Sequence, residues 1–205
     1  MQKPLFTPPT PLSSRNWNNR RVGILGGTFN PPHEGHKHIA NIALKWLDLD
    51  CIWWMVAPQN PHKQASPNNS PFEKRYEQCL NLLNHPKMLV TDIEQYYNGL
   101  CSFDTVSHLK RDFPKTNFVW IGGTDLVENF HLWEGWQDLI SMIPFAFIHR
   151  PPSNNLIQHS PVEQSHFKQI HMNHPIKNCD LSPSKIYWIK KIPAHPESST
   201  RIRNS

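Results

Sequence analysis

The sequence predicts an α/β fold in which a doubly wound, mostly parallel sheet carries helices on both faces. Segments of strand type alternate along the 205 residues with segments of helical periodicity. The strand segments are mostly continuous apolar runs, such as residues 51–57, which is typical of strands buried on both sides. Glycine pairs follow two of these strands, at residues 26–27 and 122–123. These patterns favour a Rossmann-like sheet that binds its ligand beyond the carboxyl ends of the strands.

The first unit of the chain is a strand, a glycine turn and a helix. Residues 22–25 form a short apolar run. Gly26 and Gly27 interrupt it, because glycine adopts backbone angles that other residues avoid. From about Gly35 the apolar side chains repeat at helical spacing, which predicts a helix with one apolar face. That face comprises Ile39, Ile42, Ala43, Trp46 and Leu47.

The remaining elements are predicted from the same two patterns. They are strands at residues 51–57, 88–93, 117–121, 145–149 and 185–192, helices at residues 71–84, 104–113 and 133–142, and a helix start at residues 197–203. The segment from Ser70 to Glu73 has the capping-box pattern, with a proline at the first helical position. Asp104 is predicted to cap the next helix. Residues 153–183 show no clear pattern, although Ser160 could cap a short helix.

Length and composition predict one domain, at residues 21–205, preceded by a disordered leader at residues 1–20 that is rich in Pro, Asn and Ser. The leader lacks the apolar centre of a signal peptide. The net charge of +5 favours anionic partners. No run of Lys and Arg is interleaved with aromatic residues, so nucleotides are favoured over nucleic acid.

The cysteines and the apolar runs indicate the compartment. Four scattered cysteines form no C-x-x-C pair, which excludes the usual zinc and redox motifs and favours a reduced, cytoplasmic protein. No apolar stretch approaches the length of a membrane span.

The turn after the first strand predicts a phosphate site. A helix start presents unpaired N–H groups and partial positive charge, and His33 and His36 add further donors. Metal ligation is the alternative for these histidines. However, the H-E-x-x-H motif requires histidines four residues apart, and residue 37 is lysine. Histidines without a function are another alternative, and His38 is assigned to that class.

Residues 26–36 read Gly-Gly-Thr-Phe-Asn-Pro-Pro-His-Glu-Gly-His, which resembles the GG-[ST]-F-D-P-x-H-x-G-H signature of the HxGH nucleotidyltransferases. Within them, the chain is similar to the bacterial nicotinate-nucleotide adenylyltransferases. Four further segments carry this resemblance in the family's order: residues 58–63 with its closing lysine, 102–105 (T-x-D-T), 121–125 with Trp133 and Trp136, and 198–203 (SST-x-I-R). Asn30 stands where the family usually has aspartate, and Cys101 and Ser102 replace the usual Tyr and Thr.

The resemblance implies that the chain transfers the adenylyl group of ATP to nicotinate mononucleotide, in NAD biosynthesis. ATP and the mononucleotide are the expected partners, with neither nucleic acid nor a membrane. Mg²⁺ is expected to arrive with ATP and to be held mainly by phosphates and water, with no metal site on the protein. Alternatives are adenylyl or cytidylyl transfer to another phosphate-bearing acceptor, a non-catalytic nucleotide-binding protein of the same fold, and a small metal-binding module.

The same resemblance assigns the site residues. The catalytic set is His33, His36, Lys63 and Arg203. The ATP-binding set is Gly26, Gly27, Thr28, Phe29, His36, Gly122, Asp125, Ser199, Thr200 and Arg203. The set for the nicotinate nucleotide is Thr28, Lys63, Ser102, Asp104, Thr105 and Trp133. Asp125 could instead be a helix N-cap, and Trp133 could instead pack in the core. Arg201 is expected to be a solvated charge.

Overall fold

Seven parallel strands form the centre of the molecule. The computed structural model describes residue 6 and residues 14–58, 70–97, 101–149, 157, 159–190 and 192. The strands are β1 (Arg21–Gly27), β2 (Cys51–Val56), β3 (Met88–Thr91), β4 (Asn117–Gly123), β5 (Phe145–Ile148), β6 (Lys168–Met172) and β7 (Lys185–Ile189). They form one sheet in the order β3-β2-β1-β4-β5-β7-β6, and every pairing between them is parallel. The predicted doubly wound parallel sheet is confirmed.

Helices cover both faces of this sheet. They are α1 (Glu34–Trp46), α2 (Phe72–Leu82), α3 (Ser102–Asp112), α4 (Val127–Phe130) and α5 (Trp136–Met142). The buried residues of α1 and α2 belong to one apolar core. Those of α3, α4 and α5 belong to a second core, on the opposite face. Within the described ranges, no helix is long and apolar enough to cross a membrane.

Strand β2 shows why the strands are continuous apolar runs. Successive side chains of a strand point to opposite faces of the sheet. Trp53 therefore lies in the core with α3, and Trp54 lies in the core with α1. All residues of β2 are buried, so neither face tolerates a polar position. The apolar run is the sequence signature of this double burial.

Several elements end or begin elsewhere than predicted, and β3 and α5 show the physical reason. Strand β3 stops at Thr91, and Ile93–Tyr96 form a 3₁₀ turn. The Ile93 N–H donates to the Thr91 hydroxyl at 3.2 Å, which takes this backbone out of the strand ladder. Helix α5 begins at Trp136 and not at residue 133. Gly135 precedes it with a φ of 64°, a left-handed conformation that a right-handed helix does not include.

The predicted side-chain caps are corrected by the structure. The N-cap of α3 is Cys101, and Asp104 lies in the first turn of that helix. Helix α2 has Pro71 as its N-cap and no side-chain cap hydrogen bond. Ser160 does accept the Glu163 N–H, at 3.2 Å. However, the described residues around it form turns and not a helix.

Strand β6 was not predicted from the sequence. It lies at the edge of the sheet beside β7, and most of its residues are exposed or only partly buried. An edge strand has one neighbour, so it does not need the apolar run that marks a central strand. Its polar sequence therefore gives little signal.

Two described side chains of residues 1–20, Phe6 and Trp17, pack against the sheet, so the prediction of disorder is wrong for them. Phe6 forms an isolated antiparallel bridge with Thr91. Residues Ser14–Trp17 form a 3₁₀ helix. Trp17 is 8% exposed, and its ring meets the edge of Trp53 with centroids 4.8 Å apart. The two aromatic side chains bury apolar area, which offsets the entropy cost of ordering this segment.

The strand order indicates where a ligand would bind. The order reverses between β1 and β4, which are neighbours in the sheet. In open α/β sheets, ligands bind at such a switch point, outside the carboxyl ends of the strands. Strand β1 ends at Gly27 and strand β4 ends at Gly123. Both predicted glycine turns therefore flank the same crevice.

Gly26 gives a test of this packing. A Cβ at Gly26 would lie 2.7 Å from Cζ2 of Trp120, and Trp120 is 2% exposed in the core. We expect Gly26→Ala to lower the free energy of unfolding by about 1–3 kcal/mol, as overpacked cores do. Urea unfolding would measure the change. Gly27→Ala is the matched control, because its nearest contact would be 3.7 Å. Equal stability of the two variants would contradict this account of Gly26.

Candidate active site

The turn between β1 and α1 is a compact, strained segment at the switch point. Phe29 has a left-handed backbone, with φ 46°, which costs a non-glycine residue roughly 1–2 kcal/mol. Packing holds it there: Phe29 is 2% exposed, and its ring stacks on Trp54 with centroids 5.2 Å apart. Thr28, one residue earlier, is exposed. The turn thus presents its backbone at the crevice while its aromatic side chain is buried beneath.

The two histidines of the motif lie together at the start of α1. His33 is the N-cap of the helix and His36 is its third residue. Their rings are 3.8 Å apart between centroids, and His36 also meets the edge of the Phe29 ring at 5.0 Å. His33 is 4% exposed, whereas His36 is half-buried. The structure therefore brings the predicted pair together and leaves His36 the more accessible ring.

A backbone hydrogen bond defines the tautomer of His36. The His33 N–H donates to Nδ1 of His36 at 3.3 Å. A nitrogen that accepts a hydrogen bond carries no proton, so the proton of the neutral ring lies on Nε2. Two imidazolium charges at the separation of these rings would repel each other strongly. His36 is consequently suited to donate a hydrogen bond from Nε2, and it need not be charged to do so.

The turn is also joined to the segment that precedes α2. The Ser70 N–H donates to Oδ1 of Asn30 at 3.3 Å. Arg75 of α2 donates to the carbonyls of Thr28 at 2.6 Å, Ala57 at 2.9 Å and Ser70 at 3.1 Å. The contact between Ser70 and Asn30 requires only an acceptor oxygen on residue 30. An asparagine supplies that oxygen as well as an aspartate does.

The second glycine turn lies on the other side of the switch point. A Cβ at Gly122 would lie 2.8 Å from Cδ2 of Leu126, so a larger residue here would displace the end of that side chain. Asp125 is exposed in the 3₁₀ turn Thr124–Leu126. The N-cap of that turn is Gly123, so Asp125 does not have the capping role that was its alternative.

Trp133 has the packing contacts of a core residue on one side. Its ring meets the Trp120 ring edge-on at 5.9 Å between centroids and lies 5.1 Å from the Phe130 ring. The residue remains only half-buried. Its position is therefore compatible both with packing in the core and with contact to a nicotinate ring.

The start of α3 is held by a carboxylate that the sequence analysis missed. Thr105 is 4% exposed, and its hydroxyl lies 2.9 Å from Oε1 of Glu94 and 3.3 Å from the Cys101 carbonyl. Glu94 keeps some residue exposure, but its carboxyl group is desolvated. Burial raises the pKa of Glu94 to about 7, and the Thr105 hydrogen bond opposes the shift. The Thr105 hydroxyl is thus engaged within the protein, by Glu94 and by the Cys101 carbonyl at the start of α3.

The other residues predicted at this helix start have separate positions. Asp104 accepts a hydrogen bond from the Cys101 thiol at 3.5 Å. Ser102 is the first residue of α3 and is half-buried. Both lie in the first turn of the helix, which follows the carboxyl end of β3 after a 3₁₀ turn.

Several predicted site residues lie outside the described part of the chain. They are Lys63, Ser199, Thr200 and Arg203, together with Arg201. Their assignments stay predictions. Among the described residues, no group of three or more His, Cys, Asp and Glu side chains is arranged to hold a metal ion. The histidine pair therefore lacks a third protein ligand of these types within the described ranges.

The buried position of Arg75 is indicated by the spacing of apolar residues in α2. The apolar face of α2 includes Phe72, Tyr76 and Cys79, and residue 75 lies on the same face at helical spacing. An arginine on a buried stripe needs acceptors in the interior. The signal indicates that such acceptors exist, but not which carbonyls supply them.

The family of the chain follows from two comparisons. A model of the cytidylyltransferase-like family, described as "Cytidylyltransferase-like", matches residues 24–205. A relative from Ruegeria pomeroyi, named "Probable nicotinate-nucleotide adenylyltransferase", is 32% identical over 182 residues, or 89% of this chain and 84% of that protein. A relative of the same name from Agrobacterium fabrum is 36% identical over 192 residues, or 90% of this chain and 98% of that protein.

The chain belongs to the cytidylyltransferase-like family, and within it to the nicotinate-nucleotide adenylyltransferases. The resemblance found in the sequence is thereby confirmed. A solved structure, Plasmodium falciparum nicotinic acid mononucleotide adenylyltransferase complexed with NaAD, superposes with a TM-score of 0.65 at 20% identity, covering 90% of this chain and 83% of that one. This structural similarity supports the Rossmann-like α/β fold of the chain.

Glu94 makes stability depend on pH. Its pKa is raised from 4.5 to about 7 in the folded protein, so the folded state holds this proton more tightly than the unfolded chain. We expect its contribution to be fully present below pH 4.5 and to be lost as the pH rises through about 7. Urea midpoints measured from pH 4 to 8 should therefore fall less steeply with pH for Glu94→Gln than for the wild type. Glu128→Gln, at an exposed carboxylate, is the control. Parallel profiles for Glu94→Gln and the wild type would contradict the prediction.

Proposed function

We propose that this chain transfers the adenylyl group of ATP to nicotinate mononucleotide, with nicotinate adenine dinucleotide and pyrophosphate as products. The observation that carries the proposal is the histidine pair at the switch point. His36 holds its Nε2 proton because its Nδ1 accepts the His33 N–H. This pair follows the glycine turn that ends β1. Membership in the nicotinate-nucleotide adenylyltransferases supports the same reaction.

The reaction is a displacement at the α-phosphorus of ATP. An oxygen of the mononucleotide phosphate forms the new bond to this phosphorus, and the bond to the bridging oxygen of the β-phosphate breaks. The electron pair leaves with pyrophosphate. The attacking phosphate is already ionised at neutral pH, so no general base is required. The barrier is mainly electrostatic, because two polyanions approach each other while charge builds on the leaving group.

His36 is assigned to the transferring phosphate. Its Nε2–H can donate to a non-bridging phosphate oxygen as charge develops there. His33 fixes the ring of His36 through its backbone N–H, and its own ring lies 3.8 Å away. A donor whose direction is set before the reaction loses little entropy in the transition state. The pair therefore acts as one preorganised donor group.

Backbone amides supply the second set of donors. The first turn of α1 begins at Glu34 beside the histidines, and helix N-termini attract phosphate through their unpaired N–H groups. The turn at Gly27, Thr28 and Phe29, of which Thr28 is exposed, continues this surface. We assign these amides to the polyphosphate of ATP.

The remaining assignments follow the family pattern. Gly26 and Gly122 let the backbone approach the nucleotide, and Asp125 is assigned to a ribose hydroxyl. Lys63 is assigned to the triphosphate as a point charge, and Arg203 to a phosphate as a planar fork. Ser199 and Thr200, which belong to the same sequence motif as Arg203, are also assigned to ATP binding.

The nicotinate end is assigned to the start of α3. The amides near Ser102 and Asp104 suit a carboxylate at a helix start. Thr105 contributes through its backbone, because its hydroxyl is directed at Glu94 and the Cys101 carbonyl. Trp133 is assigned to the pyridine ring through the part of its side chain that the core leaves exposed.

Mg²⁺ is assigned to the substrate. The ion would be carried mainly by phosphate oxygens and water. Bound in this way, Mg²⁺ neutralises charge on the polyphosphate. The described cysteines Cys51, Cys79, Cys101 and Cys179 are free thiols, which supports the cytoplasmic assignment. A single nucleotidyltransferase domain at residues 21–205 is part of the same proposal.

Two variants of His36 distinguish its Nε2–H donor from the hydrogen bond that its Nδ1 accepts at the start of α1. His36→Asn places an amide group near the position of Nδ1, so it can keep the hydrogen bond from the His33 N–H but has no donor at Nε2. We expect it to fold with near wild-type stability and to lose about 10²–10⁴ in kcat. His36→Gln reaches the Nε2 position with its amide nitrogen and should retain more activity than His36→Asn. Steady-state kinetics and thermal unfolding measure both effects. Near-normal turnover of His36→Asn would overturn the assignment of His36.

Pyrophosphate release tests the reaction itself. Purified protein is incubated with ATP and Mg²⁺ and with either nicotinate mononucleotide or nicotinamide mononucleotide. We expect pyrophosphate and nicotinate adenine dinucleotide with the acid and at least tenfold lower kcat/KM with the amide. Phosphopantetheine serves as the acceptor for the alternative reaction. Folded protein that releases no pyrophosphate with either mononucleotide would refute the proposal.

A further inference from the structure

Arg75 lies where three segments of the chain meet. It is 4% exposed and belongs to α2. Its Nη1 donates to the Thr28 carbonyl at 2.6 Å and to the Ala57 carbonyl at 2.9 Å, and its Nε donates to the Ser70 carbonyl at 3.1 Å. One guanidinium thus joins the turn after β1, the end of β2 and the segment before α2.

The charge of Arg75 has no ionic partner in the described part of the chain. No carboxylate there forms an ion pair with it. Its acceptors are neutral carbonyls, and burial lowers the pKa of Arg75 from its usual value. An arginine nevertheless stays protonated in proteins. A buried cation without a counter-ion is costly, so an anion bound nearby would be favoured by this charge.

The Thr28 carbonyl connects Arg75 to the proposed phosphate site. A trans peptide unit is planar, and its C=O and N–H point in opposite directions. The peptide that bears the Thr28 oxygen also bears the Phe29 N–H. Arg75 therefore fixes the direction of this N–H by holding the oxygen on the opposite side. Among the described residues, the Phe29 N–H has no hydrogen-bond acceptor of its own.

We propose that Arg75 is a positioning residue for the polyphosphate of ATP, acting through the Thr28–Phe29 peptide. On the protein side, Arg75 holds the Thr28 oxygen. On the crevice side, the Phe29 N–H donates to a phosphate oxygen. The guanidinium charge polarises the peptide unit and strengthens that donor. The proposal rests on the proposed function, because it uses the phosphate site assigned to the turn.

Binding of ATP and of adenosine distinguishes positioning from support of the fold. Adenosine carries no phosphate, so it does not use the Phe29 N–H. In Arg75→Lys, one ammonium cannot reach the three carbonyls that the guanidinium spans. We expect calorimetry to give about tenfold to hundredfold weaker ATP binding, with adenosine binding within twofold of the wild type. Lys74→Met removes one positive charge from an exposed neighbour on the same helix, and it should leave both affinities unchanged.

Each outcome of this experiment decides the proposal. Selective loss of ATP affinity in Arg75→Lys supports it. Unchanged ATP affinity overturns it, and so does an equal loss for ATP and adenosine, which would indicate a purely structural arginine. If wild-type protein binds ATP but releases no pyrophosphate with either mononucleotide, the proposed function fails while the role of Arg75 in ATP binding is still decided by the affinities.

A measurement on the wild-type protein needs no variant to fold. The ¹H and ¹⁵N resonances of the Phe29 amide should move on titration with ATP and stay in place on titration with adenosine. Inorganic triphosphate should reproduce the effect of ATP. A Phe29 amide that does not respond to ATP or triphosphate would overturn the proposal, whatever the stability of Arg75→Lys.

Discussion

The site depends on the left-handed backbone of Phe29 being held in place. This residue is strained by its φ of 46°, and contacts on several sides compensate for the strain. Its ring stacks on Trp54, Arg75 holds the preceding carbonyl, and Asn30 is tied to Ser70 after it. Release of any of these contacts would let the turn relax and would alter the direction of the amides and histidines that follow.

The site as described relies on fixed dipoles more than on formal charges. In its neutral form His36 is a donor whose tautomer is set by the His33 N–H, and the turn is assigned to contribute backbone amides. Preorganised dipoles need little reorganisation when charge moves from one phosphate to the next. The buried guanidinium of Arg75 adds a positive potential behind the turn. The charges of Lys63 and Arg203 are assigned to the phosphates, whose negative charge they would offset.

The predictions that succeeded used signals local to the chain. The continuous apolar runs gave the central strands, and the motif at residues 26–36 gave the histidine pair. Two of the predictions that failed depended on contacts between distant segments, and a third, the cap of α3, was a local error. Strand β6 is an edge strand with little apolar signal. The packed leader depends on Trp17 meeting Trp53. Asp104 was assigned as a cap, although the N-cap is Cys101.

The sequence by itself determined the alternation of strands and helices, the glycine turns and the residue types of the proposed phosphate site, because these follow from periodicity, backbone freedom and a continuous motif. Only the tertiary structure decided the strand order and which atoms are in contact. It showed that Nδ1 of His36 is occupied by a backbone N–H, that Thr105 is directed at Glu94, and that Arg75 reaches Thr28 from 47 residues away. The Thr105–Glu94 and Arg75–Thr28 contacts join residues 11 and 47 positions apart, and local patterns carry no record of such partners.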